Sequence, residues 1–240
     1  MELSSVSLII IVTTAAGICI PLGGLLACGE RIQSQWLEQE LRHFVIALGG
    51  GILLGTVSVV LIPEGIASFS QPLWSIPIII AGGIAFFVIE RWLGLRRRQY
   101  PQLIGMTLDY VPEAIALGGL IALGSTTAPL VAVLIGLQNL PEGFNAYREL
   151  TVNNSTKKTL LIMFMLVPLG PLAGLFGFFI LAEQAVIIGT IMLFSSGGIL
   201  YLLFQDIAPQ SRLEQHWAPP LGAVIGFCVA LFGHLVTLST

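Results

Sequence analysis

The sequence predicts an all-α integral membrane protein with eight transmembrane helices and both termini on the outer side of the membrane. Of its 240 residues, 55% are hydrophobic and only 10% are charged, whereas roughly a quarter of the residues in a soluble domain are charged. Apolar runs of bilayer-spanning length recur along the whole chain. The basic residues fall only in alternate connections between these runs, which fixes the orientation.

The length leaves little room outside the membrane. Eight spans of about 20 residues use about 160 positions and leave about 80 for connections and tails. We therefore expect a single transmembrane domain over residues 1–240. This composition excludes a soluble enzyme and a nucleic-acid binder. The three cysteines lack metal-binding spacing and are odd in number, which argues against a disulfide framework.

Each predicted helix follows from one apolar run. The first three apolar runs are followed in turn by an arginine-containing connection, a base-free connection and another arginine-containing connection. The fourth and fifth runs contain ionisable residues, and the last three are apolar again. In chain order, the predicted spans are about 5–28, 43–68, 76–93, 103–123, 127–147, 159–181, 185–204 and 219–238.

The basic residues predict the topology. Connections rich in lysine and arginine stay in the cytoplasm, and here every base lies in the first, third, fifth or seventh connection or at its edge, while the other connections hold none. An even number of spans with both ends outside satisfies this distribution. The ten bases are Arg31, Arg42, Arg91, Arg96, Arg97, Arg98, Arg148, Lys157, Lys158 and Arg212.

Ionisable residues inside the predicted spans point to function, because each one near the bilayer centre costs about 2.5 kcal/mol or more. Span 4 contains Asp109 and Glu113, which are four residues apart and so share one helical face. Span 5 contains Gln138, Asn139 and Glu142, of which the first and last are again four apart.

Both segments follow the pattern polar-x-x-Pro-Glu-small. Pro112 precedes Glu113, and Pro141 precedes Glu142. Each proline removes one backbone hydrogen bond and bends its helix, which exposes a carbonyl oxygen. Irregular backbone in a membrane is tolerated only where it is buried in protein or lines a cavity. Two such helices with converging carboxylates predict a cation site.

The donor set indicates the class of cation. Asp109, Glu113 and Glu142 with the Gln138 amide oxygen form an oxygen shell that water could complete, and Asn139 offers a second amide. Such ligands suit Mn²⁺, Mg²⁺ or Ca²⁺ and can also hold Fe²⁺ or Zn²⁺. The alternative interpretation is that these side chains only join helices by hydrogen bonds. Two matching motifs on consecutive spans favour the metal site.

At these residues the sequence resembles the ZIP family of metal-ion transporters (Zrt/Irt-like proteins). The resemblance covers essentially the whole chain and includes the metal motifs of spans 4 and 5. It also includes three shorter segments, which are Leu61-Ile62-Pro63-Glu64-Gly65, Pro168-Leu169-Gly170 and Gln205-Asp206-Ile207-Ala208-Pro209.

The resemblance implies a ZIP-like helix bundle that carries Zn²⁺, Fe²⁺ or Mn²⁺ into the cytoplasm as substrate by alternating access. It also implies a homodimer. The chain departs from the family where the span 4 motif begins Asp109-Tyr110 instead of His-Asn, and where Val167 replaces an acid before the span 6 proline. These departures predict one mononuclear site, and the missing histidine makes zinc selectivity doubtful.

Other functions stay open at this point. An intramembrane enzyme would need a nucleophile or a metal-water site, and the sequence lacks an H-E-x-x-H motif, so we expect no enzymatic activity. A non-transporting metal sensor or scaffold and a channel-like cation pathway are the remaining alternatives. The expected partners are the metal ion and the lipid bilayer, without nucleic acid, and the expected location is the cell (plasma or inner) membrane, crossed several times.

Overall fold

All regular secondary structure in the described part of the chain is helical. The structure, a computed structural model, describes residues 2–29, 35–94, 101–212 and 218–239. The α-helices are α1 (Glu2–Gly29), α2 (Gln35–Thr56), α3 (Ile62–Ala67), α4 (Ser75–Gly94), α5 (Pro101–Ala122), α6 (Ala128–Thr151), α7 (Thr156–Leu166), α8 (Leu169–Leu181), α9 (Ala185–Leu202), α10 (Ala208–Gln210) and α11 (Leu221–Ser239). The basic residues Arg31 and Arg96–Arg98 lie outside the described residues.

Seven helical stretches in the described ranges are long and apolar enough to cross a membrane. They coincide with seven of the predicted spans, and the chain is therefore consistent with a multi-pass membrane protein. Their bounds are Ser4–Gly29, Glu40–Ala67, Pro72–Trp92, Leu103–Ala122, Thr156–Leu181, Ala185–Gln210 and Leu221–Ser239.

The predicted fifth span, 127–147, falls on α6, which is not among these seven. Its 24 residues are sufficient in length, but Gln138, Asn139, Glu142 and Asn145 make it less apolar. All four side chains are buried inside the bundle. Because most of α6 is buried among other helices, its polar residues meet protein rather than lipid. The described residues therefore contain seven candidate spans.

Two spans contain a widened helical turn that the sequence did not reveal. A π-helical turn follows α2 at Val57–Leu61, and another follows α9 at Leu203–Ile207. In each, the amide N–H after the turn bonds to the carbonyl oxygen five residues earlier. Pro63 and Pro209 lie just beyond these turns. A proline ring clashes with the carbonyl four residues before it, and the wider turn relieves that clash.

The long helices pack in pairs that run in the same direction. Successive residues of one helix meet successive residues of its partner, as where Tyr110, Ala114 and Gly119 of α5 lie beside Gly170, Gly174 and Gly177 of α8. The other pairs with this arrangement are α1 with α6, α2 with α11, and α4 with α9. Small residues at these contacts allow the backbones to approach closely.

The contact between α1 and α6 positions α6, which carries the span 5 residues of the candidate site. A Cβ atom on Gly143 would overlap the carbonyl oxygen of Ile20, and one on Gly23 would overlap that of Leu140. Glycine is therefore required at both positions by the neighbouring backbone. In contrast, a Cβ on Gly136 of the same helix would meet its nearest atom, Cys19 Sγ, at 3.5 Å.

Replacing Gly143 by alanine is expected to destabilise the protein, because two helix backbones must move apart. Overpacking of this kind typically costs about 1–3 kcal/mol. Gly136→Ala is the matched control, since the added methyl fits and alanine favours the helix. Thermal unfolding in detergent would measure both variants. Equal midpoints for Gly143→Ala and Gly136→Ala would contradict the close-packed α1–α6 contact.

Candidate metal centre

The five predicted site residues lie on α5 and α6, which pack against each other. Both helices continue through their internal prolines, so the spacing of four between Asp109 and Glu113 keeps both on one face. Their side chains and those of Gln138, Asn139 and Glu142 are at most 4% exposed. The sequence placed these polar groups in the interior correctly.

Asp109 is satisfied only in part by its own backbone. The N–H of Tyr110 donates to Asp109 Oδ1 at 2.7 Å. The side chain of Asp109 lines a small cavity together with Glu142. One carboxylate of α5 and one of α6 therefore face the same enclosed space.

Glu113 and Gln138 join the two helices directly. Gln138 Nε2 donates to Glu113 Oε2 at 2.5 Å. This bond occupies the amide N–H of the glutamine and leaves Gln138 Oε1 buried without a donor among the described residues. Glu113 Oε1 is also buried without a donor among the described residues. The link thus fixes the spacing of the helices and leaves one oxygen of each side chain unused.

Asn139 makes a similar helix contact on the side of α6 that faces α1. Its Nδ2 donates to the carbonyl oxygen of Ala16 in α1 at 2.9 Å, while its Oδ1 accepts no hydrogen bond from a described residue. Both site amides therefore use their N–H groups for helix contacts. Their oxygens, which are the atoms that bind metals, are unpaired.

Glu142 is the most poorly satisfied of the acids. Neither of its carboxylate oxygens has a hydrogen-bond partner among the described residues. Its charge interacts unfavourably with that of Glu113, and Asp109 interacts in the same way with both glutamates. Crowded buried carboxylates without donors are unfavourable unless protons or a cation neutralise them.

Unpaired buried oxygens are rare in proteins, where most buried polar atoms have a hydrogen-bond partner. In this chain five of them belong to the predicted site residues: Glu113 Oε1, Gln138 Oε1, Asn139 Oδ1 and both oxygens of Glu142. As carboxylate and amide oxygens, all five can accept hydrogen bonds or coordinate a cation. Four of them belong to Glu113, Gln138 and Glu142, and the fifth, on Asn139, lies on the side of α6 that faces α1.

A cavity of about 20 Å³ lies beside Glu142, which is room for about one water molecule. Asp109 and Glu142 line one part of it. Another part is lined by Asp206, which sits in the π-helical turn after α9. Asp206 therefore lies on the same cavity as two site carboxylates.

The acids are near one another but do not form a closed ligand cage. Across the described residues, no three histidine, cysteine, aspartate or glutamate side chains are grouped closely enough to hold a metal ion jointly. Like charges favour separated side chains, and long carboxylate side chains can rotate. The predicted shell of Asp109, Glu113, Gln138 and Glu142 stays a prediction that requires such a rotation.

Tyr110 is engaged in helix packing. Its hydroxyl donates to the carbonyl oxygen of Thr13 at 3.2 Å. It lies in a slot where neither Gly17 nor Gly170 could accept a Cβ atom without a clash. The phenol thus connects α5 to α1 and α8, and nothing in this geometry supports a role for it as a metal ligand.

Sequence reasoning missed Asn145. Its side chain is 7% exposed, and its Oδ1 is buried without a hydrogen-bond partner among the described residues. The signal was present in the spacing, because Asn145 follows Glu142 by three residues and Gln138 by seven. These intervals put all three side chains on one face of α6.

Comparison with known proteins assigns no family. No protein-family model matches the chain, and no curated protein matches it at a significant level.

Proposed function

We propose that the protein transports divalent metal cations of the Zn/Fe/Mn class into the cytoplasm through the buried site between α5 and α6. The observation that carries this proposal is the set of five unpaired buried oxygens on Glu113, Gln138, Asn139 and Glu142, of which Glu142 lines a cavity together with Asp109. The resemblance to the ZIP family supports the same function and alternating access as its mechanism.

The hydrogen bonds of these side chains suit a cation site better than a network that only joins helices. Residues that only join helices would use their oxygens as acceptors, whereas here the amides donate and leave their oxygens unused. Three acids with two amide oxygens form a hard donor set that suits Mn²⁺ and can hold Fe²⁺ or Zn²⁺. The metal is the transported substrate in this proposal.

We include α6 as an eighth span in the proposed topology. The two candidate spans Leu103–Ala122 and Thr156–Leu181 run in the same direction, and α6 is the long helix between them. A chain that crosses twice in one direction must return in between, which α6 is long enough to do. With the bases of the connections in the cytoplasm, both termini lie outside.

The proposed exit follows the cavity from the site carboxylates toward the cytoplasmic side. Gly105 and Met106 line it before Asp109 on α5, and Asp206 lines it at the end of α9. In the proposed topology, the start of α5 and the end of α9 both face the cytoplasm. The cavity is narrow, so passage of an ion requires the helices around it to move, as alternating access provides.

The test is uptake by the purified full-length protein in proteoliposomes, with Mn²⁺, Fe²⁺, Zn²⁺, Co²⁺, Cd²⁺ and Mg²⁺ offered separately. We expect saturable uptake of at least one transition metal and its loss in Glu113→Ala and Glu142→Ala. Glu183→Ala is the matched control, because Glu183 is exposed in the loop before α9.

The outcomes separate the remaining alternatives. Equal uptake by the wild type and both site variants would exclude the proposed site. Metal binding without uptake of any ion would indicate a sensor or scaffold. Uptake that rises linearly with concentration and does not saturate would indicate a channel-like pathway in place of a carrier.

A further inference from the structure

The face of α6 that carries Gln138 and Glu142 continues beyond the site. Asn145 is the next polar residue on this face, three residues after Glu142, which places it about 4.5 Å farther along the helix axis. Glu149 occupies the following position of the same stripe. An oxygen-bearing side chain thus recurs at each turn of the second half of α6.

Packing does not explain the asparagine at this position. Asn145 is 7% exposed, and its Oδ1 has no hydrogen-bond partner among the described residues. Burying an amide oxygen without a donor is unfavourable, and asparagine is also a poor helix former. Leucine has nearly the same size and would avoid both costs. A role for the oxygen itself accounts for its presence.

The direction in which α6 continues from Glu142 to Asn145 indicates what that role is. From Gln138 through Glu142, Asn145 continues toward the end of α6 that carries Arg148. The cavity beside Glu142 extends toward the start of α5 and the end of α9. In the proposed topology these helix ends all lie on the cytoplasmic side. Asn145 is therefore one helical turn farther along the exit direction than Glu142.

The chemistry of an amide suits an intermediate position. Transport requires binding that is strong enough for an ion to enter and weak enough for it to leave. A neutral oxygen attracts a divalent cation less than a carboxylate does, because the affinity of oxygen sites depends on their number of charged ligands. One such oxygen next to Glu142 lowers the barrier for departure without trapping the ion.

We propose that Asn145 is a cation-contacting residue of the transport pathway, whose neutral oxygen receives a divalent ion from Glu142 and passes it toward the cytoplasmic side. This proposal rests on the proposed function, since it assumes an ion at the α5–α6 site. It adds a residue that belongs to neither Pro-Glu motif and that acts during release rather than during capture.

The experiment compares Asn145→Leu with the wild type in two measurements that use Mn²⁺ as the probe. One is equilibrium binding to the detergent-solubilised protein, and the other is the uptake rate in proteoliposomes. We expect Asn145→Leu to keep the Mn²⁺ affinity within about threefold but to reduce the maximal uptake rate about tenfold, the change expected for about 1.4 kcal/mol added to the barrier.

A second substitution keeps the test informative if the leucine variant does not fold. Asn145→Asp retains the oxygen and adds a charge, so it should bind Mn²⁺ about tenfold more tightly and release it more slowly. Thr159→Val is the matched control, because Thr159 Oγ1 is also buried without a partner among the described residues but lies on α7. Its uptake should equal that of the wild type.

The outcomes distinguish this proposal from the proposed function. If the wild type neither binds nor transports a divalent ion, both the proposed function and the role of Asn145 are excluded. If the wild type transports Mn²⁺ and Asn145→Leu does so at the same rate, the proposed function stands and the role of Asn145 is excluded. Loss of Mn²⁺ binding in Asn145→Leu would also overturn a separate release step, as would unchanged Mn²⁺ binding in Asn145→Asp.

Discussion

Glu142→Gln is expected to abolish divalent-metal uptake and to leave the metal-free protein at least as stable as the wild type. Both oxygens of Glu142 are buried without hydrogen-bond donors among the described residues, and its charge opposes that of Glu113. Removing this charge relieves a repulsion that only a proton or a cation otherwise relieves. The same change removes a charged ligand from the site.

Two measurements on this variant test the two effects separately. Mn²⁺ should stabilise the wild type in detergent and raise its thermal unfolding midpoint. At a Mn²⁺ concentration 100 times the Kd, the free energy of unfolding should rise by about 2.7 kcal/mol. Glu142→Gln should lose this shift, and its uptake should fall about 100-fold or more, equivalent to about 2.7 kcal/mol in the barrier.

The control for this experiment is Glu183→Gln, which makes the same chemical change at an exposed position. It should keep both uptake and the metal-dependent shift. A Glu142→Gln protein that retains the Mn²⁺ shift would show that the ion binds elsewhere. A large loss of stability in the metal-free variant would mean that Glu142 has a structural partner.

Gln138→Glu is expected to make folding depend on the metal. Gln138 donates its Nε2 N–H to Glu113 at 2.5 Å, and a glutamate there would replace this donor by a fourth acid in the candidate site. An uncompensated buried charge costs about 3–5 kcal/mol, which is a large part of the stability of a typical protein. A divalent cation would compensate the added charge and bind more tightly to it.

Purification in the presence of a chelator and, separately, of Mn²⁺ would measure this dependence. We expect little monodisperse Gln138→Glu protein with the chelator and recovery of stable protein with Mn²⁺. Gln184→Glu is the matched control, because Gln184 lies in the exposed loop before α9, and its yield should not depend on the metal. A Gln138→Glu protein that is equally stable in both conditions would contradict a cation site next to Gln138.

Much of the helix arrangement could be predicted because the membrane imposes simple rules on sequence. Spans such as 5–28 and 219–238 are recognisable because apolar length alone defines them, and the structure has helices α1 and α11 there. The burial of Asp109 and Glu113 was predictable for a related reason, since ionisable groups in an apolar run must face protein or water.

Other features depended on three-dimensional contacts that no local pattern encodes. The π-helical turn at Leu203–Ile207 brings Asp206 to the cavity of the site carboxylates, whereas its sequence resembles an ordinary helix end. Asn145 was overlooked because it lies outside the Pro-Glu motif. The link between Asn139 and Ala16 joins residues that are 123 positions apart, which no local pattern can anticipate.

The location of a bound ion tests the central claim most directly, namely that the buried oxygens of α5 and α6 hold a divalent cation. Crystals of the full-length protein grown with Mn²⁺ would give an anomalous-scattering peak at the metal position. We predict one strong peak between Glu113 and Glu142, within coordination distance of both, that disappears in Glu142→Gln crystals. A protein that takes up Mn²⁺ but whose peak lies away from these residues, or persists unchanged in the variant, would contradict the claim.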